Sequence, residues 1–293
     1  MREPEFDPPF EFIEPARISA PLLLNSPHSG TALPETFLSQ TRLEPRDLLR
    51  SADLFMDQII APATLRGVAV MHACFPRAFL DVNREPYELD ARMFDKKPPA
   101  FANTRSLRVV SGYGTVPRLV AEGCDIYARR IPLAEAMRRI DSYYLPYHSA
   151  LRRRLNDLYR AFGTAVLIDC HSMPAQSLGA AGKVGDVILG DRHGTSCAPE
   201  LIDFAEALLR DCGLTVSRNQ PYSGGFITEH YGNPRAGTHA LQIEFNRALY
   251  MDEETYVPHN GLLAVSEAMM HLVEALADLR LPAGNEALPL AAE

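Results

Sequence analysis

The sequence predicts a three-layer α/β domain built on a mixed, largely parallel sheet. Three observations carry that expectation. Short apolar runs, such as residues 21–25 and 164–169, alternate with longer amphipathic stretches. The runs are apolar throughout rather than half-polar, the pattern of strands covered on both faces. Three polar clusters, Asn25-Ser-Pro-His28, Asp81-Val-Asn83-Arg84 and Asp169-Cys-His171-Ser172, fall where such runs end. Ligands of open α/β sheets sit beyond the carboxyl ends of the strands.

The first strand is expected at 21–25, ended by Ser26-Pro27. A helix is expected from 44 to 61, because Leu48, Leu49, Ala52, Phe55, Met56, Ile59 and Ile60 recur at helical spacing and Pro62 follows. Residues 68–74 and 79–83 read as strands. Residues 85–125 are rich in Pro, Gly and charge and read as long functional or connecting loops. Pro132 suits the first turn of a long helix that continues, with a break near Pro146, to Phe162. Strands at 164–169 and 186–190 follow, then a helix at 199–212 that Gly213 ends as a cap. A strand at 241–245 and a helix near 261–279 complete the pattern. Residues 1–18 read as a loosely attached extension, 19–280 as a single catalytic domain and 281–293 as a tail.

The chain has 293 residues, is 46% hydrophobic and 23% charged, and carries a formal net charge of -8. That composition supports a sizeable core. Without a long basic run, nucleic acid is not an expected partner. No apolar stretch approaches the roughly 20 residues of a membrane span. The N-terminal segment is acidic and Pro-rich, unlike a signal peptide. The 5 cysteines are widely spaced with no CxxC pair, which argues against a disulfide framework and for the cytoplasm.

His28 follows one buried strand and His171 another, so both belong to the same rim of the sheet. Neutral imidazole is a common zinc ligand, and a catalytic zinc takes a third protein ligand while keeping one position open. No HExxH is present; His271 and Glu274 lie inside the last helix, where a surface contact is the simpler reading. For the third ligand, Asp53 borders the apolar stripe of the 44–61 helix, about 90° from its centre, and Asp57 lies about 130° away. Asp53 is therefore favoured, against the alternative that both face solvent.

Glu244 sits in a strand-like segment, on one face with Ala240, Gln242 and Asn246. A buried carboxylate there is costly unless it is paired or functional. Near a metal it suits a general base toward water and an acid toward a departing amine; the alternative is a salt bridge with Arg247 or another arginine. Arg77, Arg84, Arg129, Arg130 and Arg247 could bind a carboxylate through paired hydrogen bonds, with Arg84, next to Asn83, the strongest case. Gly224-Gly225 permits close backbone approach to a ligand, or forms a simple turn.

Competing motifs fail. There is no GxSxG elbow. Residues 179–183 resemble a phosphate loop, but Ser177 and Val184 break the Walker spacing, and no GxGxxG occurs. Cys170 beside His171 reads as packed, since adjacent strand residues point to opposite faces.

Five segments together resemble the N-formylglutamate amidohydrolase family. They are Asn25-Ser-Pro-His-Ser-Gly30, Ser51-Ala-Asp-Leu-Phe-Met-Asp57, Phe75-Pro-Arg-Ala-Phe-Leu-Asp-Val-Asn-Arg-Glu-Pro-Tyr-Glu-Leu-Asp90, Asp169-Cys-His-Ser-Met173 and His239-Ala-Leu-Gln-Ile-Glu-Phe-Asn-Arg247. They occur in the family's order, across roughly residues 20–275. The resemblance implies a zinc-carboxypeptidase-like (phosphorylase/hydrolase-like) α/β/α domain. It also implies hydrolysis of N-formyl-L-glutamate to formate and L-glutamate, within histidine degradation. His28 and His171 match the family's histidines, Glu244 its catalytic glutamate, and Asp53 lies in its acidic segment. Related aminoacylases use HxxE; here Thr31 stands where that Glu would, so they do not settle the third ligand.

The expected site is thus one Zn2+ held by His28, Asp53 and His171, with Glu244 and Arg84 in catalysis. Arg84, Asn83, Arg77, Arg130, Gly224 and Gly225 would surround a small acidic N-acyl amino acid. A hydrolase of another N-acyl amino acid, and a non-catalytic binder of acidic amino acids, are the competing readings.

Overall fold

The computed structural model describes residues 3–175 and 185–281. Residues 179–183, weighed above as a phosphate loop, and the tail beyond 281 lie outside them. The strands are β1 (Phe10–Ile13), β2 (Leu22–Ser26), β3 (Ala69–Ala73), β4 (Leu119–Ala121), β5 (Cys124–Asp125), β6 (Ala165–Met173), β7 (Val187–Gly190), β8 (Val216–Arg218), β9 (Thr238–Asn246), β10 (Met251–Asp252) and β11 (Val257–Pro258). The α-helices are α1 (Glu35–Leu38), α2 (Pro45–Leu48), α3 (Met56–Ile60), α4 (Leu107–Val110), α5 (Leu133–Arg139), α6 (Leu145–Phe162), α7 (Pro199–Asp211), α8 (Phe226–Tyr231) and α9 (Gly261–Asp278). None of the described helices is long and apolar enough to cross a membrane.

A 7-stranded sheet has the order β1-β3-β2-β6-β9-β7-β8. Strands β2, β6 and β9 are mutually parallel, β7 is antiparallel to β9, and β8 is parallel to β7. The expected mixed, mostly parallel α/β sheet is therefore present. Every residue of β2, β6 and β7 is buried, so both faces of the centre are covered, as the unbroken apolar runs require.

Two compact units share the chain. The first comprises Met1–Glu11, Ser26–Leu54 and His72–Leu151, the second Phe12–Asn25, Phe55–Met71 and Arg152–Glu293. In the first, Phe6 packs edge-on against Phe79 and Tyr143, with ring centroids 4.9 and 5.5 Å apart. Arg139, 0% exposed, lies 4.0 Å from the centroid of Phe79 and is held by Glu135, the Phe79 carbonyl and the Tyr127 hydroxyl. In the second, α9 packs on α3 and α7, and its Met269, Leu272 and Val273 are buried.

The long helix ending at Phe162 forms, and its break is a turn of π-helix, Ile140–Tyr144, just ahead of Pro146. Proline there has no N–H to give the preceding turn, which widens. The helix at 199–212 ends as expected, with Gly213 at φ +83°.

Several expectations need correction. Residues before 19 are not a loose extension, because Phe6 is buried and β1 joins the sheet. No helix spans 44–61. The chain leaves helix after Ser51, the Asp53 N–H donates to the His28 carbonyl at 2.9 Å, and Phe55 takes a left-handed φ of +66° before α3. Apolar spacing is indifferent to that tertiary hydrogen bond. Residues 79–83 form turns rather than a strand, since Phe79 and Leu80 bond back to Pro76 and Asp81 caps the Asn83 N–H at 2.9 Å. Strand β6 runs on to Met173, so His171 lies within it rather than after it.

Candidate active site

Two neighbouring strands carry the polar residues of the second unit. In the parallel pair β6–β9, Asp169 stands opposite Gln242 and His171 opposite Glu244. Alternate strand residues share a face, so these four side chains point the same way. The intervening Ile168, Cys170, Ile243 and Phe245 are buried and apolar. Asn25 is the register partner of Asp169 on β2 and donates to its Oδ1 at 2.8 Å. The other oxygen of Asp169 meets His171 Nε2 at 3.0 Å. A carboxylate only accepts, so Nε2 carries the proton and Nδ1 is the nitrogen that bears the lone pair.

Glu244 is only 8% exposed. Its Oε1 receives the Gln242 amide at 2.9 Å, and Gln242 Oε1 receives the Gly225 N–H at 2.8 Å. The Cys170 thiol is pushed well up by burial and by the neighbouring Asp169. That suits the packed, unreactive cysteine expected of it.

In the first unit Asp81 is the hub, 1% exposed. Its carboxylate meets His28 Nε2 at 2.8 Å, Arg77 Nε at 2.9 Å and the Asn83 N–H at 2.9 Å, with Arg84 Nη2 at 3.5 Å. Burial alone would raise its pKa, but the charges of Arg77 and Arg84 and the hydrogen bond from His28 hold it well below the usual carboxylate range. His28 repeats the arrangement of His171: Nε2 faces a buried carboxylate, and Nδ1 lies 3.6 Å from Asp53 Oδ2.

Asp53 is buried and Asp57 only partly so. The preference for Asp53 thus coincides with burial, although the helix geometry offered for it does not exist. Arg84 is nearly buried, its Nε and Nη1 donating to the carbonyls of Tyr113 and Asn83 at 2.9 and 2.8 Å. Burial draws its pKa down to about 10, against the opposing charge of Asp81. Asn83 is buried, whereas Arg129 and Arg130 are exposed. Arg247 donates to Ser172 Oγ at 3.0 Å. Ser223-Gly224 lies directly on Gly190, where a Cβ would stand 2.7 Å from Ser223 C and 2.8 Å from Gly224 N. The Gly225 N–H is engaged by Gln242. Sequence reasoning assigned no role to Asn25, Asp81, Asp169, Gly190 or Gln242, although it placed all but Gly190 in polar segments. Two were signalled by the i, i+2 pairs Asp169/His171 and Gln242/Glu244.

Among the described residues, His28, Asp53 and His171 are buried and offer ligand atoms that lie within 4.8 Å of one another. Ligands about 2.1 Å from a tetrahedral ion stand about 3.4 Å apart, close to the 3.6 Å between His28 Nδ1 and Asp53 Oδ2. Two imidazoles, each backed by a carboxylate, and one carboxylate fit a divalent metal by donor chemistry and spacing.

The profile of the N-formylglutamate amidohydrolase family matches residues 20–251. An N-formylglutamate deformylase of Pseudomonas putida is 30% identical over 262 residues, covering 87% of this chain and 92% of its own. Its namesake in Pseudomonas aeruginosa is 30% identical over 270 residues, covering 91% and 94%. The crystal structure of N-formylglutamate amidohydrolase from Ralstonia eutropha JMP134 superposes with a TM-score of 0.87 at 33% identity, covering 92% of this chain and 97% of that one. A protein from Agrobacterium tumefaciens, 18% identical with a TM-score of 0.65, shares the fold. With most of its length matched by the family profile and by relatives of full length, the chain belongs to the N-formylglutamate amidohydrolase family.

Proposed function

We propose that this chain is a metal-dependent amidohydrolase that cleaves N-formyl-L-glutamate to formate and L-glutamate, as one step of histidine degradation in the cytoplasm. The observation that carries the reading is Glu244 beside His171 in the β6–β9 register, two buried polar residues on one face of the sheet, in a chain of this family.

His28, Asp53 and His171 would hold a divalent ion, with zinc suited to an N2O donor set. Such an ion would supply a Lewis acid for the formyl carbonyl and would acidify water to a pKa of about 7. Asp81 and Asp169 fix the histidine tautomers so that both rings present Nδ1. Glu244 takes a proton from the attacking water as its oxygen bonds to the formyl carbon. It then gives that proton to the amino nitrogen as the C–N bond breaks. Arg84, with Asn83 and Arg77 beside it, receives a substrate carboxylate and so positions the formyl group. Arg130, at the surface, is assigned the second carboxylate.

The test is turnover of N-formyl, N-acetyl and N-succinyl amino acids by the metal-loaded protein and by Glu244→Gln. N-formylglutamate should be the preferred substrate, and the variant should lose about 10²–10⁴-fold in kcat while retaining metal. Full turnover by Glu244→Gln would remove the assigned role. Preference for a different acyl group would move the substrate assignment within the family. Activity that survives complete removal of metal would end the metal mechanism.

A further inference from the structure

We infer that Gln242 is a positioning residue that fixes the orientation of Glu244, and that the packing of Ser223-Gly224 on Gly190, which places the Gly225 N–H, sets Gln242 in turn. The inference rests on the reading of Glu244 as the proton carrier.

The chain of contacts has one direction. A backbone N–H can only donate, so the Gly225 N–H, 2.8 Å from Gln242, requires an oxygen there. The Thr228 hydroxyl stands on the same oxygen at 3.4 Å. The amide of Gln242 is thereby assigned, without reference to Glu244, and its NH2 end must face Glu244 Oε1 at 2.9 Å. Gln242 therefore offers Glu244 a donor and never a lone pair. Rotation of a glutamate carboxylate about χ3 is broad and nearly two-fold. Fastening one oxygen narrows it, which is what precise proton transfer needs.

The donor at residue 225 is itself held. Gly190 is the register partner of Gln242 on the antiparallel neighbour β7. A Cβ at Gly190 would come within 3.0 Å of Ser223 and Gly224 backbone atoms, so the turn lies directly on the strand. Gly225 is the residue before α8, at its N-terminus, and Gly224 adopts φ +115°, open essentially to glycine. Gly190 and Gly224 thus bring a backbone N–H to one side chain of the adjacent strand. Gln242 is 4% exposed, so water does not readily replace that donor.

The test compares Gln242→Met, which keeps length and volume but loses the amide, with Gly190→Ala, which displaces the turn. Both are assayed with the metal-loaded full chain on N-formylglutamate, alongside metal content and melting temperature. Gln242→Met should lower kcat about 10–100-fold, with KM and metal content unchanged. Gly190→Ala should lower kcat in the same sense by a smaller factor. An unchanged kcat in Gln242→Met would overturn the inference, as would a raised KM at constant kcat or a parallel loss of metal. Glu244→Gln separates the two levels. If it abolishes turnover while Gln242→Met does not, positioning alone fails; if it leaves turnover intact, the reading of Glu244 fails with it.

Discussion

Substituting Asp169 by Asn tests the metal reading most sharply, because the change removes one charge and almost no volume. Asp169 is 0% exposed. Its oxygens serve two donors, Asn25 Nδ2 at 2.8 Å and His171 Nε2 at 3.0 Å. An amide offers one acceptor oxygen and one NH2, so it serves only one of them. With its oxygen toward Asn25, the new NH2 faces His171 Nε2. That nitrogen must then accept, and the ring proton moves to Nδ1, the atom assigned to the metal. With the amide turned over, two NH2 groups meet in a site closed to water. Loss of an outer partner of a metal-ligating histidine weakens metal binding about 10–100-fold, equivalent to about 1.4–2.8 kcal/mol. Competition of the metal-free protein with a fluorescent zinc chelator measures this, and a melt confirms folding. A folded Asp169→Asn protein whose zinc affinity stays within twofold of the parent would refute the tautomer argument.

Two further outcomes test the surrounding scaffold. A Cβ at Gly30 would lie 2.4 Å from both Cys74 C and Phe75 O; backbone cannot rotate aside, so Gly30→Ala should cost about 1–3 kcal/mol, read as a lower unfolding midpoint, and an unchanged midpoint would contradict the close approach. Burial alone would raise the pKa of Asp90, but hydrogen bonds from Arg92 and Arg118 outweigh it and hold it below the ordinary value. A depressed folded pKa contributes stability that is present above the unfolded value, about 3.9, and is lost as pH falls through the folded one. Denaturant titrations against pH should show stability falling below about pH 4, with a shallower fall in Asp90→Asn; the same slope in both proteins would remove Asp90 as a cause.

Sequence by itself determined the α/β class, the strands that centre the sheet, the long helix broken near Pro146 and the family. These are properties of local pattern. An unbroken apolar run must be buried on both faces, and a proline must disturb the turn before it, wherever the rest of the chain goes. The pairing of Gln242 with Glu244 was also legible, through period-two alternation. Tertiary structure decided what depends on partners distant in sequence. Asp53 left its expected helix because its N–H bonds to the carbonyl of His28, 25 residues away. Residues 79–83 gave up strand geometry because Asp81 gathers donors from Arg77, Asn83 and His28. The tautomers of His28 and His171, and the direction of the Gln242 amide, follow from which atom each nitrogen meets. Periodicity records which side of an element is wet or dry, whereas a hydrogen bond records a single partner at a single distance, and that partner is chosen only when the chain has closed on itself.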